Sequence, residues 1–376
     1  MNTDHLDKNT VYTSDPRIIM TLDAGGTNLV FSAIRGNRQI VEDILKPSHP
    51  DDLEKILDSL VSGFEEVSAR LPDKAAAISF AFPGPADYPR GIIGDLPNFK
   101  AFQGGVALGP MLEDHFGIPV YINNDGNLFA YGEALTGFLP RLNHRLREAG
   151  SLKQYNSLIG FTLGTGFGAG IVLDQQMIVG NSSSGAEIHN TLNRYHPRWN
   201  AEESVSTRAI RRVYGDLSST PFDRTPMPGE IHDIATGKKE GNAEAAREAF
   251  IQFGKGLGNS IANTMALIDG IVVLGGGITA GWDLFAPAMF DEINSGYEDF
   301  RGNKLPRLSY RVYNLEDERT FSEFVRGRIR EITVPRSSRK ISYDDLPRTG
   351  VGRSALGASR AIALGAYAFA LQQLDT

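Results

Sequence analysis

Hydrophobic positions along the chain fall into short runs separated by longer amphipathic stretches. The runs at 18–22, 29–34, 75–82 and 120–122 are each short, apolar and closely followed by turn-forming residues, which predicts buried β-strands. Residues 53–67 instead place apolar side chains at helical spacing, which predicts an amphipathic helix. The first part of the chain is therefore predicted to be a mixed α/β domain.

The pattern of strand, glycine turn and strand at residues 18–34 occurs again in the middle of the chain. The stretch LIGFTLG from Leu158 runs into TGFG and then AGIVL, in the same order of strand, glycine turn and strand as residues 18–34. This weak internal repeat suggests two similar domains, although glycine-rich hairpins are common enough for chance to be an equal explanation. A helical stretch at 243–268 and a strand at 271–274 follow. Residues 295–349 are polar and rich in arginine, which favours a solvated hairpin or a subunit contact.

Composition narrows the class of protein. A length of 376 residues fits two domains, and 41% hydrophobic residues are enough for a packed core. A net charge of −7 argues against non-specific nucleic-acid binding. The absence of cysteine excludes disulfides and thiolate metal sites. The N-terminus lacks signal-peptide features, and no apolar run reaches the ~18 residues that span a membrane, so we expect a cytoplasmic protein without membrane contact.

Three glycine-rich stretches have the chemistry of phosphate or nucleotide binding. In LDAGGTN at 22–28, glycines expose backbone N–H groups to a phosphate, Thr27 adds a hydroxyl, and Asp23 offers a carboxylate to Mg²⁺. TLGTGFG at 162–168 offers the same chemistry again, and LGGG at 274–277 would let an adenosine ring pack against backbone. The alternatives are a tight hairpin turn for the first stretch and a sharp strand-to-helix turn for the last.

Asp125 stands in YINNDGNLFAYGE, where a strand ends and a helical pattern begins. A carboxylate at such a junction can accept the proton of a hydroxyl that attacks phosphorus. It can equally be the N-cap of the helix, a position that Asp fills well. The residues alone leave both interpretations open.

A small polar stretch, SSSGAEIHNT at 182–191, has Glu187 and Asn190 three residues apart. The two side chains would suit sugar hydroxyls as acceptor and donor, and the alternative is a surface turn. The seven histidines have no spaced partner set for a metal site.

Seven stretches in this order resemble the ROK family of repressors, open reading frames and sugar kinases. The matching stretches are DAGGTN (23–28), FPGPAD (82–87) followed by GIIGDLPNF (91–99), NNDGN (123–127), TLGTGFGAGIV (162–172), GAEIHN (185–190), SVSTRAI (204–210) and VVLGGG (272–277). The resemblance covers roughly residues 18–290 and the last helix.

The resemblance implies a two-domain α/β fold of the hexokinase–actin, ribonuclease H-like type, with a central interdomain cleft. The smaller domain would comprise 18–123 and 357–376, and the larger domain would comprise 124–356 with an extended segment at about 295–349. It implies ATP-dependent phosphorylation of a hexose or N-acetylhexosamine at the 6-hydroxyl. It also implies a homodimer or homotetramer.

The resemblance also assigns roles to residues. Asp125 would be the general base, and Asp23 would face Mg²⁺ through phosphate or water. The sugar would be held by Gly84, Asn98, Asn124, Glu187, Asn190 and Glu202. ATP would be bound by Asp23, Gly25, Gly26, Thr27, Thr165, Gly166, Gly275, Gly276 and Gly277.

The sequence departs from the family at its zinc motif, CxCGxxGCxE, which is missing. Asn190 stands where the family has a zinc-ligating histidine, so we expect no zinc and leave the identity of the sugar open. A non-catalytic sugar-binding sensor on the same fold is the alternative function. A DNA-binding repressor is disfavoured, because the ~17 residues before the first strand are too few for a helix-turn-helix.

Overall fold

The computed structural model describes residues 12–25, 28–94 and 100–376. The chain divides into two compact units. The first unit contains residues 1–140, 170–186 and 355–376, and the second contains 141–169 and 187–354.

The N-terminal part of the chain forms a five-stranded sheet with helices. Its elements are β1 Ile19–Ala24, β2 Asn28–Arg35, β3 Arg38–Pro47, α1 Leu53–Ala69, β4 Ala77–Ala81, β5 Ala86–Asp87, a 3₁₀ helix Tyr88–Arg90, β6 Ile92–Ile93, a 3₁₀ helix Lys100–Phe102, α2 Leu108–Phe116, β7 Val120–Asn123, α3 Asp125–Leu135 and α4 Phe138–Glu148. The sheet order is β3-β2-β1-β4-β7. Strands β1, β2 and β3 are antiparallel neighbours, whereas β4 pairs in parallel with β1 and β7.

Helix α1 covers this sheet with the apolar face predicted from its spacing. Asp52 begins the helix by accepting a hydrogen bond from the Lys55 amide, as an N-cap does. The Phe64 ring packs edge-on against Phe31 of β2, with ring centroids 4.9 Å apart. Buried aliphatic and aromatic side chains therefore form the core of this sheet. Their packing holds β1 and β7, whose ends carry the candidate site.

The remainder of the chain forms a six-stranded sheet with helices, two small hairpins and a C-terminal helix that belongs to the first unit. Its elements are β8 Leu158–Leu163, β9 Phe167–Leu173, β10 Gln176–Met177, 3₁₀ helices Ile188–Asn190, Ala201–Glu203, Phe222–Arg224 and Gly277–Gly281, α5 Thr207–Ser218, α6 Pro228–Ala235, α7 Ala243–Met265, β11 Ile271–Gly275, α8 Trp282–Ile293, β12 Gly296–Glu298, β13 Lys304–Pro306, β14 Arg311–Asn314, α9 Glu318–Arg326, β15 Ile329–Thr333, β16 Lys340–Asp344, β17 Arg348–Arg353 and α10 Ala358–Leu374. The sheet order is β10-β9-β8-β11-β17-β14. Strand β11 pairs in parallel with β8 and β17. The α/β prediction is confirmed.

The polar, arginine-rich stretch at 295–349 is more ordered than its sequence indicates. It contains the β12–β13 and β15–β16 hairpins, whose residues are largely exposed. Strand β14 adds in parallel to the edge of the large sheet beside β17. The exposed hairpins agree with both predicted alternatives, a solvated hairpin or a subunit contact, whereas β14 is part of the main sheet.

Within the described part of the chain, no helix is both long enough and apolar enough to cross a membrane.

Candidate active site

The junction between β7 and α3 carries the predicted base. Strand β7 ends at Asn123, and α3 begins at Asp125. Asn124 has extended backbone angles, and its side chain accepts a hydrogen bond from the Gly126 amide at 2.8 Å, which makes Asn124 the N-cap. The capping role left open for Asp125 therefore belongs to Asn124, and Asp125 is the first residue of the helix.

The surroundings of Asp125 raise its pKa. The side chain is accessible to solvent, yet the density of protein around it desolvates the carboxylate, and this desolvation is the main cause of the raised pKa. The negative charge of Asp23 in the same unit raises the pKa further, against the lowering effect of hydrogen bonds from the Gly126 and Asp125 amides. Such a carboxylate holds a proton more readily than an ordinary Asp, as a general base must.

Asn123 holds this junction in place, a role not predicted from the sequence. Its buried Oδ1 accepts hydrogen bonds from the Asn124 amide at 2.8 Å and from Asn127 Nδ2 at 3.1 Å. Its carbonyl accepts from the Phe82 amide at 3.0 Å, so the end of β7 is joined to the segment that leads to Gly84. The sequence feature that could have indicated this role is an asparagine placed directly after the apolar run of the predicted strand.

The first glycine turn lies partly outside the described residues. Asp23 is exposed near the end of β1, and the Gly25 amide donates to the Asn28 carbonyl at 3.0 Å across the turn. The predicted phosphate contacts Gly26 and Thr27 lie outside the described residues, so their predictions stay predictions.

The predicted sugar contacts of the first unit are likewise only partly described. Gly84 lies beside Tyr88, whose hydroxyl donates to the Phe82 carbonyl at 2.9 Å. Asn98 lies outside the described residues.

The second glycine turn, between β8 and β9, is held by hydrogen bonds from another segment. The Gly164 amide donates to the Gly166 carbonyl at 3.1 Å across the turn. The Gly164 carbonyl accepts from the Thr207 amide at 2.8 Å and from Thr207 Oγ1 at 3.0 Å. Thr165 is exposed at the tip of this turn.

The triple glycine lies next to the second glycine turn. Gly275 is at the end of β11 and pairs with Thr162 at the end of β8. Gly276 has a φ of 93°, and a Cβ there would lie 2.3 Å from the Leu163 carbonyl oxygen, so only glycine fits. Gly277 begins a short 3₁₀ helix and has open space around it. The second unit therefore brings two of the three predicted nucleotide-binding stretches to one end of its sheet.

Glu187 and Asn190 are brought together by a single 3₁₀ turn. The Asn190 amide donates to the Glu187 carbonyl at 3.1 Å, and both residues are exposed. The carboxylate of Glu187 lies 3.0 Å from His189 Nδ1. The predicted pair is thus accessible to a ligand, on a surface turn as the alternative interpretation had it.

Asn193 organises the irregular segment that follows, and the sequence analysis missed it. Its side chain is buried and fully hydrogen-bonded. Nδ2 donates to the Asn200 carbonyl at 3.0 Å and to Ser204 Oγ at 2.7 Å, while Oδ1 accepts from the Tyr195 and His196 amides at 3.1 Å each. No local pattern in the sequence marks this role.

Glu202 contacts the second glycine turn directly. Its Oε2 accepts a hydrogen bond from the Phe167 amide at 2.9 Å, and its Oε1 accepts from Arg208 at 2.7 Å. Arg208 also donates to Glu203, and this bond is the main cause of a lowered pKa of Glu203 and a raised pKa of Arg208. Partial desolvation opposes both of these shifts, and Glu202 adds to the rise in the pKa of Arg208.

The described residues contain no group of three or more His, Cys, Asp or Glu side chains placed to hold a metal ion. The prediction that the protein lacks zinc stays a prediction.

Glycine turns at strand ends can receive phosphate groups, and a carboxylate at a strand–helix junction can accept a proton, so these features suit a phosphotransferase. The chain belongs to the ROK family, whose model matches residues 19–310. It is 25% identical over 288 residues to a glucokinase of Thermotoga maritima, with 72% of this chain and 85% of the relative covered.

Two further relatives agree with this class. An N-acetyl-D-glucosamine kinase of Photobacterium profundum is 29% identical over 171 residues, which are 45% of this chain and 50% of that kinase. The crystal structure of a glucokinase from Parabacteroides distasonis is 51% identical, with a TM-score of 0.88 over 96% of this chain and 99% of that one. The predicted family, the two-domain actin-like kinase fold and the activity of a sugar kinase are confirmed.

Proposed function

We propose that this sugar kinase transfers the γ-phosphoryl group of ATP to the 6-hydroxyl of a hexose or N-acetylhexosamine, with Asp125 as the general base. The observation that carries the proposal is the junction at Asp125. Because Asn124 caps the helix, Asp125 is not needed as the cap, and its raised pKa favours proton acceptance.

The reaction is an in-line displacement. The sugar hydroxyl oxygen attacks the γ-phosphorus, its proton passes to the Asp125 carboxylate, and ADP leaves. A positioned base of this kind contributes about 10²–10⁴-fold to the rate. Hydrogen bonds from the Asn124 and Asn127 groups to Asn123 keep the junction rigid, so the carboxylate needs little reorganisation.

ATP is proposed to bind through the glycine turns. In the second unit the contacts would be Thr165, Gly166, Gly275, Gly276 and Gly277, and in the first unit Gly25, Gly26 and Thr27. The exposed carboxylate of Asp23 fits a role toward Mg²⁺, because this ion prefers one or two carboxylates together with phosphates and water. Bound Mg²⁺ would neutralise charge on the phosphates.

The sugar is proposed to contact Gly84, Asn98 and Asn124 of the first unit and Glu187, Asn190 and Glu202 of the second. The similar proteins are named as kinases of glucose and of N-acetylglucosamine. The glucokinase at 51% identity makes glucose the first sugar to test.

The proposal is tested by ADP release with ATP and Mg²⁺ against a panel of hexoses, hexosamines and N-acetylhexosamines. We expect turnover with glucose or a related hexose, and none without sugar. Binding of both ATP and a sugar without turnover would contradict the proposal and support the alternative, a sugar sensor on the same fold.

We propose further that the protein is a cytoplasmic homodimer or homotetramer that uses no zinc and binds no nucleic acid. Light scattering gives the oligomeric state, and elemental analysis of the active protein gives its zinc content. A monomer would contradict the proposed oligomer, and stoichiometric zinc would contradict the proposal that the protein uses no zinc.

A further inference from the structure

The turn between β8 and β9 is fixed from outside by one short segment, 202–207. Thr207 donates two hydrogen bonds to the Gly164 carbonyl, from its amide at 2.8 Å and its hydroxyl at 3.0 Å. At the other end of the turn, Glu202 accepts from the Phe167 amide at 2.9 Å. Thr165 and Gly166 lie between these two fixed points.

The contact between Glu202 and the turn is close. A Cβ at Gly166 would lie 2.8 Å from Glu202 Oε2, so the backbone must be glycine there for the carboxylate to reach the Phe167 amide. The second carboxylate oxygen, Oε1, accepts from Arg208 at 2.7 Å. Both oxygens are therefore engaged within the second unit, although the resemblance implies a sugar ligand at this position.

We infer that Glu202 is a positioning residue for the phosphate-binding turn: it holds Thr165 and Gly166 in the conformation that receives the nucleotide phosphates. The inference rests on the proposed role of this turn in ATP binding. A charge-assisted hydrogen bond to a backbone amide is strong enough for this purpose. It also fixes the turn before nucleotide arrives, which lowers the ordering cost of binding.

The same segment connects the turn to the sugar side. Ser204 lies between Glu202 and Thr207 and accepts a hydrogen bond from Asn193, which organises the stretch after Glu187 and Asn190. This hydrogen bond joins the stretch after Glu187 and Asn190 to the segment that holds the phosphate-binding turn.

Glu203 provides a matched control. Like Glu202, it accepts a hydrogen bond from Arg208 at 2.7 Å, but its carboxylate bonds Arg208 rather than the turn. Comparing Glu202→Ala with Glu203→Ala separates the bond to the Phe167 amide from the shared ion pair. Glu202→Gln keeps an oxygen acceptor for that amide.

The experiment measures ATP·Mg²⁺ affinity without sugar and glucose affinity without nucleotide by calorimetry. We expect Glu202→Ala to weaken ATP binding by about tenfold or more, since hydrogen bonds to charged groups have this effect. We expect Glu202→Gln to recover most of the loss and Glu203→Ala to bind ATP as the wild type does. Equal losses in the two alanine variants, or a loss of glucose affinity alone, would overturn the inference.

Amide hydrogen exchange over residues 162–168 gives a readout that needs no ligand. Exchange should accelerate in Glu202→Ala and not in Glu203→Ala, and unchanged exchange in Glu202→Ala would overturn the inference. A wild type that binds no ATP would contradict the proposed function, while this measurement still decides the role of Glu202.

Thr207→Val provides the test if Glu202→Ala does not fold. The variant loses the hydroxyl bond to Gly164 and keeps the amide bond. We expect weaker ATP binding with unchanged glucose binding, and full ATP affinity together with unchanged exchange over 162–168 would overturn the inference.

Discussion

The junction at 123–125 and the segment at 187–202 both carry proposed sugar contacts, but they are held in different ways. At the junction, the side-chain oxygens of Asn123 and Asn124 accept hydrogen bonds from groups within four residues, and the strand and helix fix the backbone. In the segment, the Ala201 amide donates to the Thr191 carbonyl at 2.8 Å between the 3₁₀ turns, and the buried side chain of Asn193 bonds residues up to eleven positions away.

This difference predicts which side-chain substitutions each region tolerates. A junction built from local bonds keeps its geometry when a ligand-binding side chain is altered, because the helix and strand remain. A segment in which one buried side chain makes four hydrogen bonds is expected to loosen when that side chain is removed.

The largest effect is expected for Asp125→Asn. Turnover should fall by about 10²–10⁴-fold with sugar binding retained, because the amide cannot accept the hydroxyl proton while the junction stays intact. Steady-state kinetics and calorimetry measure the two quantities. Asp58→Asn, on the exposed side of α1, is the control and should leave both unchanged. Full turnover in Asp125→Asn would contradict the role of the base.

The raised pKa of Asp125 also predicts how the thermal stability of Asp125→Asn differs from that of the wild type as the pH changes. Its pKa is higher in the folded than in the unfolded protein, so ionised Asp125 lowers stability at pH values above the folded pKa. Asp125→Asn should therefore raise Tm at neutral pH, and the gain should vanish as the pH falls to the ordinary pKa of an aspartate. The acid limb of wild-type kcat/KM should lie above that ordinary value. A lower Tm at neutral pH would contradict the shift.

Asn193→Ala should have the next largest effect. The substitution removes the acceptor of the Tyr195 and His196 amides and the donor to the Asn200 carbonyl and Ser204 Oγ. We expect this loss to lower the free energy of unfolding by about 1–3 kcal/mol. Glucose affinity should fall with it. Tyr195→Phe keeps the amide bond to Asn193 and should retain glucose affinity. Wild-type stability and affinity in Asn193→Ala would show that the segment does not depend on this side chain.

Asn124→Ala should lower stability by about 1 kcal/mol, the usual effect of removing an N-cap. Asn124→Asp restores the cap but not the amide donor, so Tm should recover while glucose affinity stays low. Thermal unfolding and calorimetry separate the two roles. Recovery of both in Asn124→Asp would remove Asn124 from the proposed sugar contacts.

The smallest effect is expected for His189→Ala. The side chains of His189 and Glu187 are 33% and 39% exposed, so their ion pair contributes about 0–1 kcal/mol at most. Tm should change little, and any change should diminish at high salt. A large loss of stability would mean that this turn is held through His189 rather than through Asn193.

The sequence allowed the junction to be predicted because its signals are local. A strand end, two asparagines and a helical pattern adjoin one another, and only the choice between Asn124 and Asp125 as the cap needed the backbone angles. The glycine turns were predictable for the same reason. Asn193 and Glu202 bond to residues that are distant in sequence, namely Ser204 and Phe167. No short sequence pattern predicts such contacts.

The central claim is that Asp125 supports phosphoryl transfer from ATP to a sugar 6-hydroxyl. The most direct test is ³¹P NMR of the products from glucose, ATP and Mg²⁺, with the wild type and with Asp125→Asn. We expect glucose 6-phosphate and ADP in equal amounts from the wild type and almost none from the variant. A phosphate on another hydroxyl, or equal product from both proteins, would contradict it.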